Sequence, residues 1–220
     1  LALDLDDTLV DWPAAIDAAT WRALAVVGLP RDVLAFRSLW EEIREYTWRV
    51  RAGRVMDRAH WRLMYEPQVP WERAFPDWTK SMRGAAVRAF REALQPGLFA
   101  DALPALDALR GQKLAILSNN PAAKVAVQRL GLGGRFAAVV HPDDPFRKPH
   151  REAFAMTASA LGVDLAGLAH CGDSLAMDVE GALAAGVGQV VWVDRWDRAG
   201  DASPGAERVT SLAGLAALLA

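Results

Sequence analysis

The chain has 220 residues, 52% hydrophobic and 24% charged, enough for one large domain or for a domain carrying an inserted module, with a core that needs no disulfide or metal staple. Lys and Arg number 25 against 27 Asp and Glu, and the resulting net charge of −2 removes most of the electrostatic case for a nucleic-acid binder. The single cysteine, Cys171, excludes a disulfide scaffold. No apolar run approaches the roughly 20 residues of a membrane span, and no basic-then-apolar segment opens the sequence, so no membrane partner and a cytoplasmic location are expected. The sequence starts at Leu1 rather than Met, which predicts that a few residues precede it.

Leu1-Ala2-Leu3-Asp4-Leu5 is a short apolar run with the pattern of a buried strand. Residues 13–27 predict a helix with Pro13 in its first turn, where the missing N–H costs nothing, and Gly28-Leu29-Pro30 ends it. A second helix is expected from Asp32 to about Ala52 and a third from Asp57 to about Tyr65, with Pro67 and Pro70 closing that stretch; a fourth runs from about Pro76 to Leu94. Residues 11–95 thus read as all helix. They carry seven of the nine tryptophans and a net charge of +3, against −5 for the remainder, so the two parts read as different modules.

Pro96-Gly97 marks a boundary, after which strands and helices alternate. Strands are expected at 113–117, 136–140, 168–171 and 189–193, and helices at 103–110, 121–130, 149–161, 175–185 and 212–219. Asn119 or Asn120 is a natural N-cap for the helix over 121–130. The polar stretch 194–204 reads as a loop. Alternation of this kind predicts an α/β fold, a Rossmann-like parallel sheet with helices on both faces. The first strand belongs to that sheet, so residues 1–10 and 96–220 form the core and residues 11–95 are an all-helical insertion after strand one.

Open parallel sheets carry their sites at the carboxyl ends of the strands. Those ends bring Asp4, Asp6, Asp7 and Thr8 after the first strand, Ser118, Asn119 and Asn120 after the second, Arg147-Lys148-Pro149 after the third, and Asp173, Ser174 and Asp178 after the fourth. Crowded carboxylates repel one another, and a hard divalent cation such as Mg²⁺ offsets that repulsion. An Asp can act as a nucleophile that forms an acyl phosphate, a second Asp as general acid and base, and a lysine and a hydroxyl can hold the transferring group.

With these motifs in this order, the chain resembles the haloacid dehalogenase-like hydrolase superfamily over essentially its whole length. Asp4-Leu5-Asp6-Asp7-Thr8-Leu9 is similar to the first motif, Ser118-Asn119 to the second, Lys148-Pro149 to the third and Gly172-Asp173-Ser174 through Asp178 to the fourth. The resemblance implies that Asp4 is the nucleophile and Asp6 the acid and base. It further implies that Ser118 and Lys148 bind the phosphoryl group, with Asn119 beside them as a substrate-binding residue, and that Asp4, the backbone carbonyl of Asp6, and Asp173 bind Mg²⁺ with Asp178 in support. Residues 11–95 resemble a C1-type cap. Dehalogenases of this superfamily lack the second carboxylate of the first motif, because a departing halide needs no proton. The presence of Asp6 therefore favours a Mg²⁺-dependent phosphatase acting on a small phosphorylated metabolite through an aspartyl phosphate. A dehalogenase, a phosphomutase and a catalytically silent binding or regulatory module on the same scaffold are the alternatives, and a monomer or homodimer is expected.

Two further groups of residues invite a reading. Trp48, Arg51 and Arg54 lie where two helices of the insert join; arginine there could hold an anionic leaving group and tryptophan stack on a ring, while a solvated helix end with its favourable dipole is the simpler account. His60, His141, His150 and His170 have no ligand spacing and read as structural or surface residues. Cys171 reads as a small core hydrophobe.

Overall fold

The computed structural model describes residues 1–51, 68–143, 145–196 and 204–219. The described chain divides into two compact units, one of residues 1–11 and 97–220 and one of residues 12–96.

The first unit is built on a sheet of six parallel strands: β1 (Ala2–Leu3), β4 (Ala115–Leu117), β5 (Ala138–Val140), β6 (Ala169–Gly172), β7 (Gln189–Val193) and β8 (Glu207–Val209). Their order is β5-β4-β1-β6-β7-β8. From β1 the chain steps outward through β4 to β5, then returns to the other side of β1 for β6, β7 and β8. Right-handed crossovers in the two directions put helices on opposite faces. On one side lie α5 (Ala102–Ala108) and α6 (Ala123–Arg129); on the other lie α7 (Arg151–Leu161) and α8 (Gly181–Ala185). A single apolar cluster joins Ala2, Leu117, Phe154, Leu161, Ala182 and Trp192, all buried. A 3₁₀ turn (Leu212–Gly214) and α9 (Leu215–Leu218) pack on α5. The fold is the expected α/β, Rossmann-like one.

Reversal of direction at β1 makes a topological switch point, where open α/β sheets leave a crevice. Register fixes what lines it. Leu3 pairs with Ile116 on one side and Cys171 on the other, so Asp4, Ser118 and Asp173 leave adjacent strands at one edge. β1 and β4 are fully buried, which is why they read as apolar runs.

Several elements differ from expectation. Val10–Asp11 (β2) and Gly97–Leu98 (β3) form a two-stranded antiparallel ribbon where the chain leaves and re-enters the first unit. β8 lies beyond the stretch 194–204, where no element is expected from the sequence, and the stretch 175–185 is a π-helical turn (Leu175–Glu180) followed by α8. No side chain caps α6, which begins at Ala123 after Ala122; Asn120 Oδ1 instead accepts from the Ala122 N–H at 2.8 Å.

The second unit contains α1 (Trp12–Val26), α2 (Val33–Arg51), α3 (Gln68–Ala74) and α4 (Lys80–Ala93). Trp71 is its buried centre, ringed by Phe75, Trp78 and Phe90 at centroid distances of 6.2, 6.1 and 5.9 Å. Truncating such a residue costs about 3–5 kcal/mol. Pro70, read as a helix breaker, sits at the third position of α3, where its N–H would have no intrahelical partner. The helix expected over 57–65 lies outside the described residues.

Candidate active site

Asp4 follows β1 directly, and its N–H donates to the Cys171 carbonyl at 2.9 Å, so the backbone of the first loop is pinned to β6. Lys148 Nζ donates to Asp4 Oδ1 at 2.6 Å and to Asp178 Oδ1 at 2.5 Å. All three residues are buried: Asp4 is 5% exposed, Lys148 2% and Asp178 1%. His170, at the second position of β6, brings Nε2 to 2.9 Å from the same Asp178 oxygen, and the Ser174 N–H donates to the other oxygen at 3.1 Å.

One ammonium thus serves two buried carboxylates, and the two are not equally provided for. Burial alone would raise Asp178, but the Lys148 charge and the His170 contact outweigh it and hold Asp178 well below the usual carboxylate range. Burial would likewise lower Lys148, and the charges of Asp178 and Asp4 push it above its ordinary value instead. Asp4 is left short. Burial, reinforced by the like charges of Asp178, Asp173 and Asp6, pushes its carboxyl well above the usual range against the pull of Lys148. Burial also lowers His170, keeping its imidazole neutral near neutral pH.

The unmet charge has a geometric counterpart. Asp4, Asp173 and Asp178 each offer one carboxylate oxygen, and the three oxygens lie within 4.8 Å of one another. Three carboxylates and one ammonium leave two negative charges in a buried volume. Hard oxygen donors with this charge fit a divalent cation such as Mg²⁺. The Asp6 side chain stands outside this group; its Oδ2 accepts from Asn120 Nδ2 at 3.0 Å.

The second-motif residues work on their neighbours. Ser118, 1% exposed, accepts the Asn120 N–H on Oγ at 3.1 Å. Asn119, expected to bind substrate, has its amide taken up by the backbone of Lys148. His141, at the carboxyl end of β5, brings Nδ1 to 3.1 Å from the Ser118 carbonyl. The Lys148-Pro149 peptide is cis, and Pro149 packs on Gly181: a Cβ added there would lie 2.7 Å from Pro149 Cβ. Gly172 is equally constrained, because a Cβ would lie 2.3 Å from Asp178 Cγ. Just beyond the carboxyl end of β7, Arg195 donates from both terminal nitrogens to Asp101 at 3.0 Å each and from Nη2 to the Thr8 carbonyl at 2.6 Å. That contact anchors the turn following Asp6.

Sequence reading brought Asn120 to the site edge without its partner Asp6, took His170 as structural or surface without its partner Asp178, and missed Arg195. His170 left one signal: it is a lone polar residue inside an otherwise apolar strand, and a buried polar side chain demands a partner. Trp48, Arg51 and Arg54 have side chains outside the described residues.

A family model for haloacid dehalogenase-like hydrolases matches residues 1–186. The chain belongs to this family. Phosphoglycolate phosphatase from Salmonella choleraesuis (strain SC-B67) is 31% identical over 208 residues, covering 84% of this chain and 77% of that protein. The phosphoglycolate phosphatase of Escherichia coli (strain K12) is 30% identical with the same coverage. Among solved structures, the HAD-hydrolase YfnB from Bacillus subtilis shares the fold with a TM-score of 0.74 at 20% identity, covering 99% of this chain and 96% of that one. The 2-haloacid dehalogenase from Pseudomonas syringae pv. Tomato DC3000 has a TM-score of 0.60 at 27% identity with the same coverage. This haloacid dehalogenase-like chain is therefore a hydrolase. No described helix is long and apolar enough to cross a membrane.

Proposed function

We propose that this hydrolase is a Mg²⁺-dependent phosphatase of small phosphorylated metabolites that works through an aspartyl phosphate on Asp4. The observation that carries the reading is the buried cluster of Asp4, Lys148 and Asp178, with a second carboxylate, Asp6, held two residues from the nucleophile. Asp4, Asp173 and Asp178, with the Asp6 carbonyl, are the residues that would hold Mg²⁺. When bound, Mg²⁺ neutralises phosphoryl charge and orients the group for in-line attack.

Each remaining role falls to this chain. The Asp4 carboxylate attacks phosphorus and the ester P–O bond breaks. Asp6 gives its proton to the leaving alkoxide, then takes one from the water that attacks the acyl phosphate, releasing phosphate and restoring Asp4. Lys148 keeps Asp4 in place and offers its third N–H to a phosphoryl oxygen; the Ser118 hydroxyl offers another. Asp178 anchors the lysine. The helical unit, residues 12–96, serves as a C1-type cap that excludes water and selects the substrate, with Trp48, Arg51 and Arg54 as its selecting residues.

Likeness to a haloacid dehalogenase at 27% identity favours a second reading, halide displacement by the same Asp4. Asp6 argues against it, since halide leaves without a proton. Phosphate and halide release from the purified protein with Mg²⁺ decide between the two, over a panel of phosphorylated metabolites that includes phosphoglycolate and over 2-chloropropionate. Phosphate release that a chelator abolishes and Mg²⁺ restores is expected. Halide release, or phosphate release in excess chelator, overturns the proposal.

A further inference from the structure

Asn120 has no role in the reading above, yet it joins two catalytic loops 114 residues apart. Its Nδ2 lies 3.0 Å from Asp6 Oδ2. The orientation of the amide is fixed by a second bond. Asn120 Oδ1 accepts the Ala122 N–H at 2.8 Å, and a backbone N–H can only donate, so the NH₂ end faces Asp6. The Asn120 N–H donates in turn to Ser118 Oγ at 3.1 Å, so the residue is tied to its own turn at both ends. Closing that turn requires only an acceptor, which Asp would supply equally well and Ser more weakly. What Asn adds is the donor aimed across at Asp6.

We infer that Asn120 is a positioning residue that dictates which oxygen of Asp6 handles the proton. A donor facing Oδ2 makes Oδ2 the carbonyl oxygen of the acid form, because the carbonyl oxygen of a carboxylic acid is a better acceptor than its hydroxyl oxygen. Oδ1 then carries the proton. In the first half-reaction the O–H bond at Oδ1 breaks as the leaving ester oxygen takes the proton; in the second, Oδ1 takes a proton from the attacking water. The same bond restrains the carboxyl plane, so that Oδ1 is presented in one direction in both steps. This inference rests on the phosphatase reading.

The test uses the whole chain with Mg²⁺ and a series of monoesters running from 4-nitrophenyl phosphate through phenyl phosphate to phosphoglycolate. Asn120→Ser retains an acceptor for the turn, and its shorter side chain draws the donor back from Asp6; Asn120→Ala is the second variant, and thermal midpoints verify that each is folded. Misplacing a general acid forfeits part of a contribution of about 10²–10⁴-fold. Asn120→Ser should therefore lower kcat/KM, which reports the step that expels the leaving group, by about 10–100-fold on the esters with poor leaving groups. On 4-nitrophenyl phosphate the loss in kcat/KM should be under about 3-fold; kcat, which includes the acyl-phosphate hydrolysis common to every ester, should fall on all of them. In an Asp6→Asn background the same change should cost nothing further. Equal losses of kcat/KM along the series, a loss confined to KM, or additive losses in the double variant would overturn the inference while leaving the phosphatase reading standing. A wild-type chain that hydrolyses none of the esters overturns both.

Discussion

The side-chain amide of Asn119 grips both backbone groups of Lys148: Nδ2 donates to the Lys148 carbonyl at 2.9 Å, and Oδ1 accepts the Lys148 N–H at 3.0 Å. The amide imitates a peptide group on a neighbouring strand. It lets a loop after β5 be placed by a loop after β4, so that Nζ arrives between Asp4 and Asp178 without a regular element to carry it.

Asn119→Ala should accordingly lower kcat/KM by about 10–100-fold through misplacement of Lys148, with Lys148 itself untouched. Two lost bonds should also cost about 1–3 kcal/mol of stability. Steady-state kinetics beside a urea titration check both; unchanged kinetics would show that the loop places Lys148 by itself.

Lys148→Met should abolish turnover and destabilise the metal-free protein by about 3–5 kcal/mol, because two buried carboxylates lose their shared cation. Added Mg²⁺ should recover part of that loss by binding only the folded state. Urea midpoints with and without Mg²⁺ measure it, and a variant as stable as wild type without metal would contradict the charge balance described above.

Asp4→Asn should behave in the opposite way. Its carboxyl is the one that burial and its like-charged neighbours penalise most. Turnover should fall by about a thousandfold or more, while the thermal midpoint of the metal-free protein stays level or rises. Retained activity in the folded variant would remove Asp4 from the chemistry.

Away from the site, Asp101 gives a pH signature. Burial alone would raise it, but the Arg195 fork, the Leu212 N–H and the Ser211 hydroxyl hold it below its ordinary value of 3.8. The unfolded chain therefore binds this proton more readily than the folded one. The associated stability is fully present above about pH 3.8 and is lost as pH falls through the lower folded value. Asp101→Asn should flatten that part of the acid limb of an unfolding curve, and cost about 1–2 kcal/mol at neutral pH. An acid limb unchanged in the variant would refute the assignment.

What the sequence disclosed, and what it withheld, follows from the range of the forces involved. β1 and β4 were legible because a strand buried on both faces must be apolar throughout. Asp4 and Asp173 were legible because each sits one step beyond such a strand. β2, β3 and β8 are as short as β1 and β4 but are only partly buried, so no continuous apolar run marks them. Pro70 misled because a proline that ends one helix and a proline inside the first turn of another look alike without the donors counted. Asn119 could be placed in its motif but not assigned its work, since its partner lies 29 residues away. The same holds for His170 and Asp178, eight residues apart and joined only once strand and π-helical turn fold over each other.

The contact between Gly181 and Pro149 reaches further than its size suggests. No methyl group fits between them, so the start of α8 and the end of the lysine loop behave as one mechanical part. The loop cannot be retuned alone, because moving it means moving the helix whose preceding turn carries Asp178. Over evolutionary drift, the two positions should change together or not at all. A relative with a larger side chain at the position of Gly181 should also present its lysine from a displaced loop, which makes this pair a marker of catalytic-loop geometry that can be scored from sequence alone.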